Sequence, residues 1–189
     1  MSYYHNRENA EGYVKIADGY DGRELIERLK VYLPAGSTLL ELGIGPGTDL
    51  DILAEDYIPT GSDYSPIFVE RYRDLHPDAD LLELDAVTMN TDRRFDSIYS
   101  NKVLHHLTAD ELAISLRKQS DLLNDNGILL HSFWVGDKVE QMHGMTLAYY
   151  TEETLAAVIP DTVELLESGR YAEMDADDSI YIILGKKRA

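Results

Sequence analysis

Three glycines at alternate positions, in Glu41-Leu42-Gly43-Ile44-Gly45-Pro46-Gly47, constrain this chain more than any other feature. They follow an apolar stretch, Thr38-Leu39-Leu40-Glu41-Leu42. They precede a run of helical period, from about Thr48 to Asp56, with Leu50, Leu53, Ala54 and Tyr57 on one face. Glycine tolerates positive φ and lets a backbone approach a ligand closely. A helix that starts after such a turn points its free N–H groups into it. The segment therefore reads as strand, loop and helix of a parallel α/β unit, with a ligand expected beyond the carboxyl ends of the strands. A glycine turn without a ligand has the same pattern, so the loop needs support from elsewhere in the chain.

The remainder alternates in the same way, short apolar runs between helical stretches, which argues for parallel strands with crossover helices. A helix is expected over Asp21–Leu33, with Leu25, Ile26, Leu29 and Tyr32 on one face, ended by Pro34-Ala35-Gly36. Strands are expected at Thr38–Leu42, Pro59–Ser62, Asp80–Glu83, Phe95–Ser100 and Ile128–Val135. Ser65-Pro66 reads as an N-cap followed by proline at the first helical position. Thr108-Ala109-Asp110-Glu111 is a capping-box pattern opening a helix that Asn126-Gly127 closes. Another helix starts at Thr151-Glu152-Glu153 and stops at Pro160. The last two strands, Thr162–Leu166 and Ser179–Leu184, suit a hairpin whose final strand is antiparallel near the sheet edge.

Composition narrows the partners. Seventeen basic against thirty-five acidic side chains give a net charge of −18. Such a surface repels phosphate backbones and gains little from counterion release, so nucleic acid is not an expected partner. The 189 residues suit one compact domain: an N-terminal helical or lid segment, 1–36, and a ligand-binding domain, 37–189. No apolar run approaches a membrane span, the first residues are polar, and there is no cysteine. A cytoplasmic protein without disulfides or a metal site is expected.

Asp63 strengthens the glycine loop. It closes the second strand, 20 residues after Gly43, where an acid can accept two hydrogen bonds from ribose hydroxyls. An Asx turn leading into Ser65 is the plain alternative. Glu41 is unexpected inside an apolar strand; a buried carboxylate needs partners, either the N–H groups of the loop or a cationic group on a ligand. Loop and acid together fit nucleoside cofactors of two kinds. Against the dinucleotide fingerprint Gly-x-Gly-x-x-Gly, the third glycine arrives one residue early.

Taken in order, these segments resemble the class I S-adenosylmethionine-dependent methyltransferases, over roughly Leu39 to Leu184. Glu41 to Thr48 resembles the family's first motif, in which Gly43, Gly45 and Gly47 would wrap the amino-acid part of the cofactor. Asp63-Tyr64-Ser65 is similar to the second, whose acid holds the ribose. Leu84-Asp85-Ala86 is similar to the third, with Asp85 near the adenine amino group and an apolar neighbour on the ring. Phe95 to Leu107, containing Ser100, is similar to the fourth, which lies under the methionine part. The resemblance implies an α/β Rossmann-like three-layer sandwich. Its seven-stranded, mostly parallel sheet would have order 3-2-1-4-5-7-6, strand 7 antiparallel. It also implies S-adenosyl-L-methionine as cofactor, S-adenosyl-L-homocysteine as product, and a small-molecule acceptor. The chain would be a monomer or a homodimer. A non-catalytic module binding the same cofactor, or a nicotinamide-dependent oxidoreductase, are the competing readings.

Candidate catalytic residues are His106 and His105, which follow the fourth strand where an acceptor would approach, as a base or as a holder of the acceptor. A structural role at a helix start is the alternative. His131, between apolar residues of the fifth strand, reads as a core histidine. The loop 136–150 borders the acceptor side in this topology, and Met145, Tyr149 and Tyr150 are expected to shape it together with Tyr20. Tyr3, Tyr4, Tyr13 and Tyr20 suit a lid.

Overall fold

The computed structural model describes residues 3–187; Met1, Ser2, Arg188 and Ala189, the ends of the two expected segments, lie outside them. One sheet of seven strands organises the molecule. Its strands are β1 (Thr38–Leu42), β2 (Ile58–Asp63), β3 (Leu81–Glu83), β4 (Phe95–Asn101), β5 (Leu123–Trp134), β8 (Val163–Tyr171) and β9 (Ser179–Lys186). A separate ribbon, β6 (Val139–Met142) and β7 (Met145–Ala148), is inserted after β5. The sheet order is β3-β2-β1-β4-β5-β9-β8. Counting only the strands of this sheet, that is the expected 3-2-1-4-5-7-6. The strand β9 runs antiparallel to both its neighbours, and the other pairings are parallel.

Among the described residues, six α-helices surround the sheet: α1 (Arg7–Ile16), α2 (Arg23–Leu29), α3 (Thr48–Leu53), α4 (Pro66–Leu75), α5 (Ala109–Leu122) and α6 (Glu152–Ala156). The alternation of side chains along each strand sorts the core into two layers. Leu40, Leu42, Ile98 and Leu129 pack with Leu112 and Leu116 of α5 and Leu155 of α6. Leu39, Tyr99, Leu130 and Ile183 pack with Leu25, Ile26 and Leu29 of α2 and Leu53 of α3. Burial on both faces explains why the central strands read as unbroken apolar runs.

Several boundaries differ from the sequence expectation. Helix α2 keeps only the middle of Asp21–Leu33. The helix α5 stops at Leu122, and β5 starts at Leu123, so Asn126-Gly127 lies inside a strand. Asn126 adopts φ 61° there, beside a register shift between Phe95 and Ser97. The turn chemistry makes a bulge and not a helix end. The expected loop 136–150 is largely the β6–β7 ribbon, turned at His143-Gly144 with both residues at positive φ.

The strand order reverses between β1 and β4, so the carboxyl ends of these strands open onto a crevice. Helix α1 and the β6–β7 ribbon lie over that crevice and turn it into a cavity of about 610 Å³.

Candidate active site

The floor of the cavity is the glycine loop. Gly43, Gly45 and Gly47 have φ of 74°, 48° and 95°, a region costly for residues with a Cβ. A Cβ on Gly43 would meet Val103 Cγ2 at 2.5 Å. The loop is held flat by bonds from Gly43 N and Ile44 N to Ser62 O, at 2.7 and 2.9 Å. Gly43 and Gly45 line the cavity. Gly47 does not; its missing Cβ would stand 2.2 Å from the Tyr72 ring, so its role is to let α4 pack against the start of α3.

Asp63 ends β2 inside the cavity and is 9% exposed. Gly45 N donates to its Oδ2 at 3.0 Å and Ser65 N to its Oδ1 at 2.8 Å. The carboxylate keeps acceptor capacity beyond these amides. The Asx turn and the ligand role, posed as alternatives by the sequence, are therefore compatible. Burial raises the Asp63 carboxyl to about 6, against the opposing effect of the Ser65, Gly45 and Tyr64 amides and of nearby His5. Asp85, after β3, accepts from Val87 N at 2.7 Å and Thr88 N at 3.0 Å through Oδ1 alone. Leu84, Asp85 and Ala86 line the same end of the cavity, and the Ala86 carbonyl is fixed by Ser115 Oγ at 2.6 Å.

Glu41 is the most constrained group here. It is 3% exposed, lines the cavity, and its Oε2 has no hydrogen-bond partner. Burial first, and then Asp49 and Asp63, push its carboxyl well above the usual range. Asp49, in the first turn of α3, is also buried but satisfied, by Gly22 N at 2.6 Å, Tyr99 Oη at 2.8 Å and Asn101 Nδ2 at 3.2 Å. Three buried carboxylates thus face one cavity. Its lone lysine, Lys102, contacts Glu173, donates to Tyr171 Oη at 3.0 Å and Ser179 Oγ at 2.9 Å, and lies 4.0 Å from the Trp134 ring centroid. The site is electrically built for a cation.

Aromatic side chains form the cover. Tyr4, Tyr13 and Phe68 contact one another, with ring centroids 5.2 to 6.0 Å apart. Tyr13 also sits where a Cβ on Gly45 would touch its ring at 3.4 Å. The N-terminal strap is tied down by Ser65 Oγ to Tyr4 O, 2.6 Å, and by His5 Nε2 to Tyr64 O, 2.9 Å. On the far side His143, at the ribbon tip, stacks on Tyr3 with centroids 5.1 Å apart.

Residues 40–129 match the protein family described as "Methyltransferase domain". The sheet order and the position of the cavity agree with it. Over those 90 residues the chain carries a methyltransferase domain, and its fold is consistent with the class I S-adenosylmethionine-dependent methyltransferase superfamily. Among solved structures, it is similar to the 1,6-didemethyltoxoflavin-N1-methyltransferase of Burkholderia thailandensis, which holds 1,6-didemethyltoxoflavin and S-adenosylhomocysteine. The TM-score is 0.77 and the identity 20%, over 94% of this chain and 83% of that one. The N-methyltransferase NodS of Bradyrhizobium japonicum, in complex with S-adenosylhomocysteine, gives 0.75 and 16%, over 99% and 100%. The glycopeptide N-methyltransferase MtfA gives 0.73 and 14%, over 88% and 91%. At such identities the likeness speaks for the fold. No curated protein matches the chain. Among the described residues, no helix is long and apolar enough to cross a membrane, and no group of His, Asp and Glu is arranged to hold a metal.

The cavity gathers most of the residues singled out from sequence: Glu41, Gly43, Gly45, Asp63, Tyr64, Asp85, Ala86, Tyr20, Met145 and His106. It does not gather five others. Gly47 is accounted for above. Ser100 is fully buried and bonded to His131 Nδ1 at 2.8 Å, a contact between β4 and β5. His105 is buried behind His106. Tyr150 is a core residue set edge-on to Phe133. Tyr149 points to the outer ribbon, where its Oη donates to Glu140 at 3.1 Å. Conversely, Asp49, Lys102 and Glu173 line the cavity without having been nominated. The signal for Lys102 is its place just after β4; Glu173, in the β8–β9 turn, has no local signal.

Proposed function

We propose that this chain is an S-adenosyl-L-methionine-dependent methyltransferase acting on a small-molecule acceptor, with S-adenosyl-L-homocysteine as product. The observation that carries the reading is the orphaned, buried Oε2 of Glu41 beside the glycine loop, among carboxylates with no unpaired cation. A cofactor with a sulfonium and an ammonium group fits that cradle; a dianionic pyrophosphate does not. The Gly43 and Gly45 backbone would follow its amino-acid part, and Glu41 would face the ammonium. Asp63 would accept from the ribose hydroxyls with its remaining acceptor capacity, beside Tyr64. Asp85 Oδ2 would accept from the adenine amino group, with Leu84 and Ala86 along the ring.

When bound, the cofactor supplies a methyl group already electrophilic on sulfur. What the chain's own residues add is orientation and exclusion of water. Holding two reactants in line contributes of order 7–11 kcal/mol in favourable systems. Tyr3, Tyr4, Tyr13 and Tyr20 of the segment 1–36 act as the lid on the domain 37–189. Tyr20, His106 and Met145 bound the acceptor space. A net charge of −18 supports a small acceptor over nucleic acid, and work in the cytoplasm as a monomer or homodimer suits a cysteine-free chain.

The reading is tested by titrating S-adenosylmethionine into the protein and its Asp63→Ala variant. Asp63→Ala is expected to stay folded and lose affinity by about 10- to 100-fold, as removal of a charged hydrogen-bond acceptor does. Equal affinity in both proteins would show that the ribose is held elsewhere.

A further inference from the structure

His105 and His106 form a short 3₁₀ turn (Leu104–His106) directly beneath the β6–β7 ribbon. We propose that His106 is a positioning residue that fixes the ribbon wall of the acceptor space, and that it is not the base that takes the acceptor's proton. The assignment of that space rests on the methyltransferase reading; the hydrogen-bond argument does not.

Proton counting fixes the two tautomers. His106 Nδ1 lies 2.9 Å from Thr146 O. A carbonyl oxygen only accepts, so Nδ1 must carry the hydrogen. A neutral imidazole has one N–H, so His106 Nε2 is left with a lone pair. His105 Nε2 stands 3.0 Å from it and must therefore be the donor. His105 Nδ1 is then a bare acceptor, and that atom is buried without a partner. The opposite assignment requires an imidazolium at His106, in a pair that burial holds neutral and next to the Lys102 charge. Both nitrogens of His106 are thus engaged. What it turns to the cavity is carbon.

The tie has something to hold. A two-stranded ribbon is marginal by itself. This one joins the main sheet through the Val135–Tyr150 bridge and the bond from Gly136 N to Tyr150 O at 3.1 Å. His143 and Gly144 at the tip and Met145 and Thr146 of β7 face the cavity, and His106 bonds to Thr146. The rings of His105 and Trp134 are stacked, with centroids 6.5 Å apart, which keeps the donor side of the pair in place.

Three measurements on the full chain test this. Nitrogen-15 NMR of the imidazoles should show His106 as the Nδ1–H tautomer and His105 as the Nε2–H tautomer at neutral pH; Nε2–H at His106 overturns the proposal. Hydrogen exchange of the amides in 139–148 should rise in His106→Ala by up to roughly tenfold, the shift expected when one buried hydrogen bond is lost. His106→Asn should restore exchange to the wild-type level, because its amide nitrogen takes the place of Nδ1 and still donates to Thr146 O. Failure of Asn to restore it overturns the proposal. Asn cannot serve as a base, so methyl transfer to 1,6-didemethyltoxoflavin and to a panel of small amines and phenols separates the roles. His106→Asn should keep the shape of the wild-type pH profile, and both variants should act mainly on acceptor KM, His106→Ala more strongly than His106→Asn. Loss of kcat in Asn with a native ribbon assigns the base role and overturns the proposal. Titration of the wild type with S-adenosylhomocysteine runs alongside. No binding there would sink the methyltransferase reading and leave the tautomer and exchange results standing.

Discussion

A carboxyl group inside an apolar strand must hold a proton or meet a cation, and Glu41 has no partner at Oε2. Its pKa is raised well above the usual range by burial and by Asp49 and Asp63, so the ligand-free protein favours its protonated form. An ammonium group arriving beside it reverses that preference. Binding of S-adenosylmethionine near neutral pH is therefore expected to release a proton. Calorimetry in buffers of different ionisation enthalpy reads this release, and Glu41→Gln should abolish it. Asp63 gives a second pH effect. Its folded value of about 6 stands above its unfolded value, so the fold favours the protonated form. Ligand-free protein is stabilised, as far as this group goes, when pH falls through 6 towards 4. Ribose binding wants the ionised form, so cofactor affinity should fall over the same interval. An affinity flat from pH 7 to 5 would remove Asp63 from the ribose. Glycines and acids such as these were legible because they sit at strand ends, where local sequence decides both conformation and exposure. Ser100 was not, because its partner His131 comes from another strand 31 residues away, and pairing made a polar residue part of the core.

At the level of elements, legibility followed the strength of the local pattern. The capping box at Thr108 forms as written: Glu111 N donates to Thr108 Oγ1, and Thr108 N to Glu111 Oε2 at 2.9 Å. Thr108→Ala should cost about 1 kcal/mol in urea unfolding. Gly47→Ala should cost more, roughly 1–3 kcal/mol, since it combines a positive φ with a collision against Tyr72. Helix α1 escaped a specific reading because Arg7–Ile16 has a single buried residue, Ala10, and depends on the Asn6 cap and on packing over the crevice. The ribbon β6–β7 escaped because all four residues of β6 are exposed, which leaves no alternation to read. Its His143-Gly144 turn is the one local cue, a pair at positive φ that suits a two-residue hairpin. Position on the ribbon then settled the tyrosines: Tyr149 turned outward and Tyr150 into the core.

The whole molecule carries a charge of −18, most of it on a surface that must repel itself. Screening should relieve this. Raising salt from about 0.01 M to about 0.15 M shortens the Debye length from roughly 30 Å to roughly 8 Å. The melting temperature is expected to rise over that range; a fall would mean that surface ion pairs outweigh the repulsion. The order of the sheet was legible only through the family resemblance, since alternation of strands and helices does not specify which strands adjoin. Buried acidity in the cavity is a different matter from surface acidity, and it bears on the central claim that the cradle is made for a sulfonium cofactor. Isothermal titration of the unmodified protein with S-adenosylmethionine, S-adenosylhomocysteine and NAD tests that claim most directly. Saturable one-to-one binding of the first two and none of NAD is the predicted result; binding of NAD alone would contradict it.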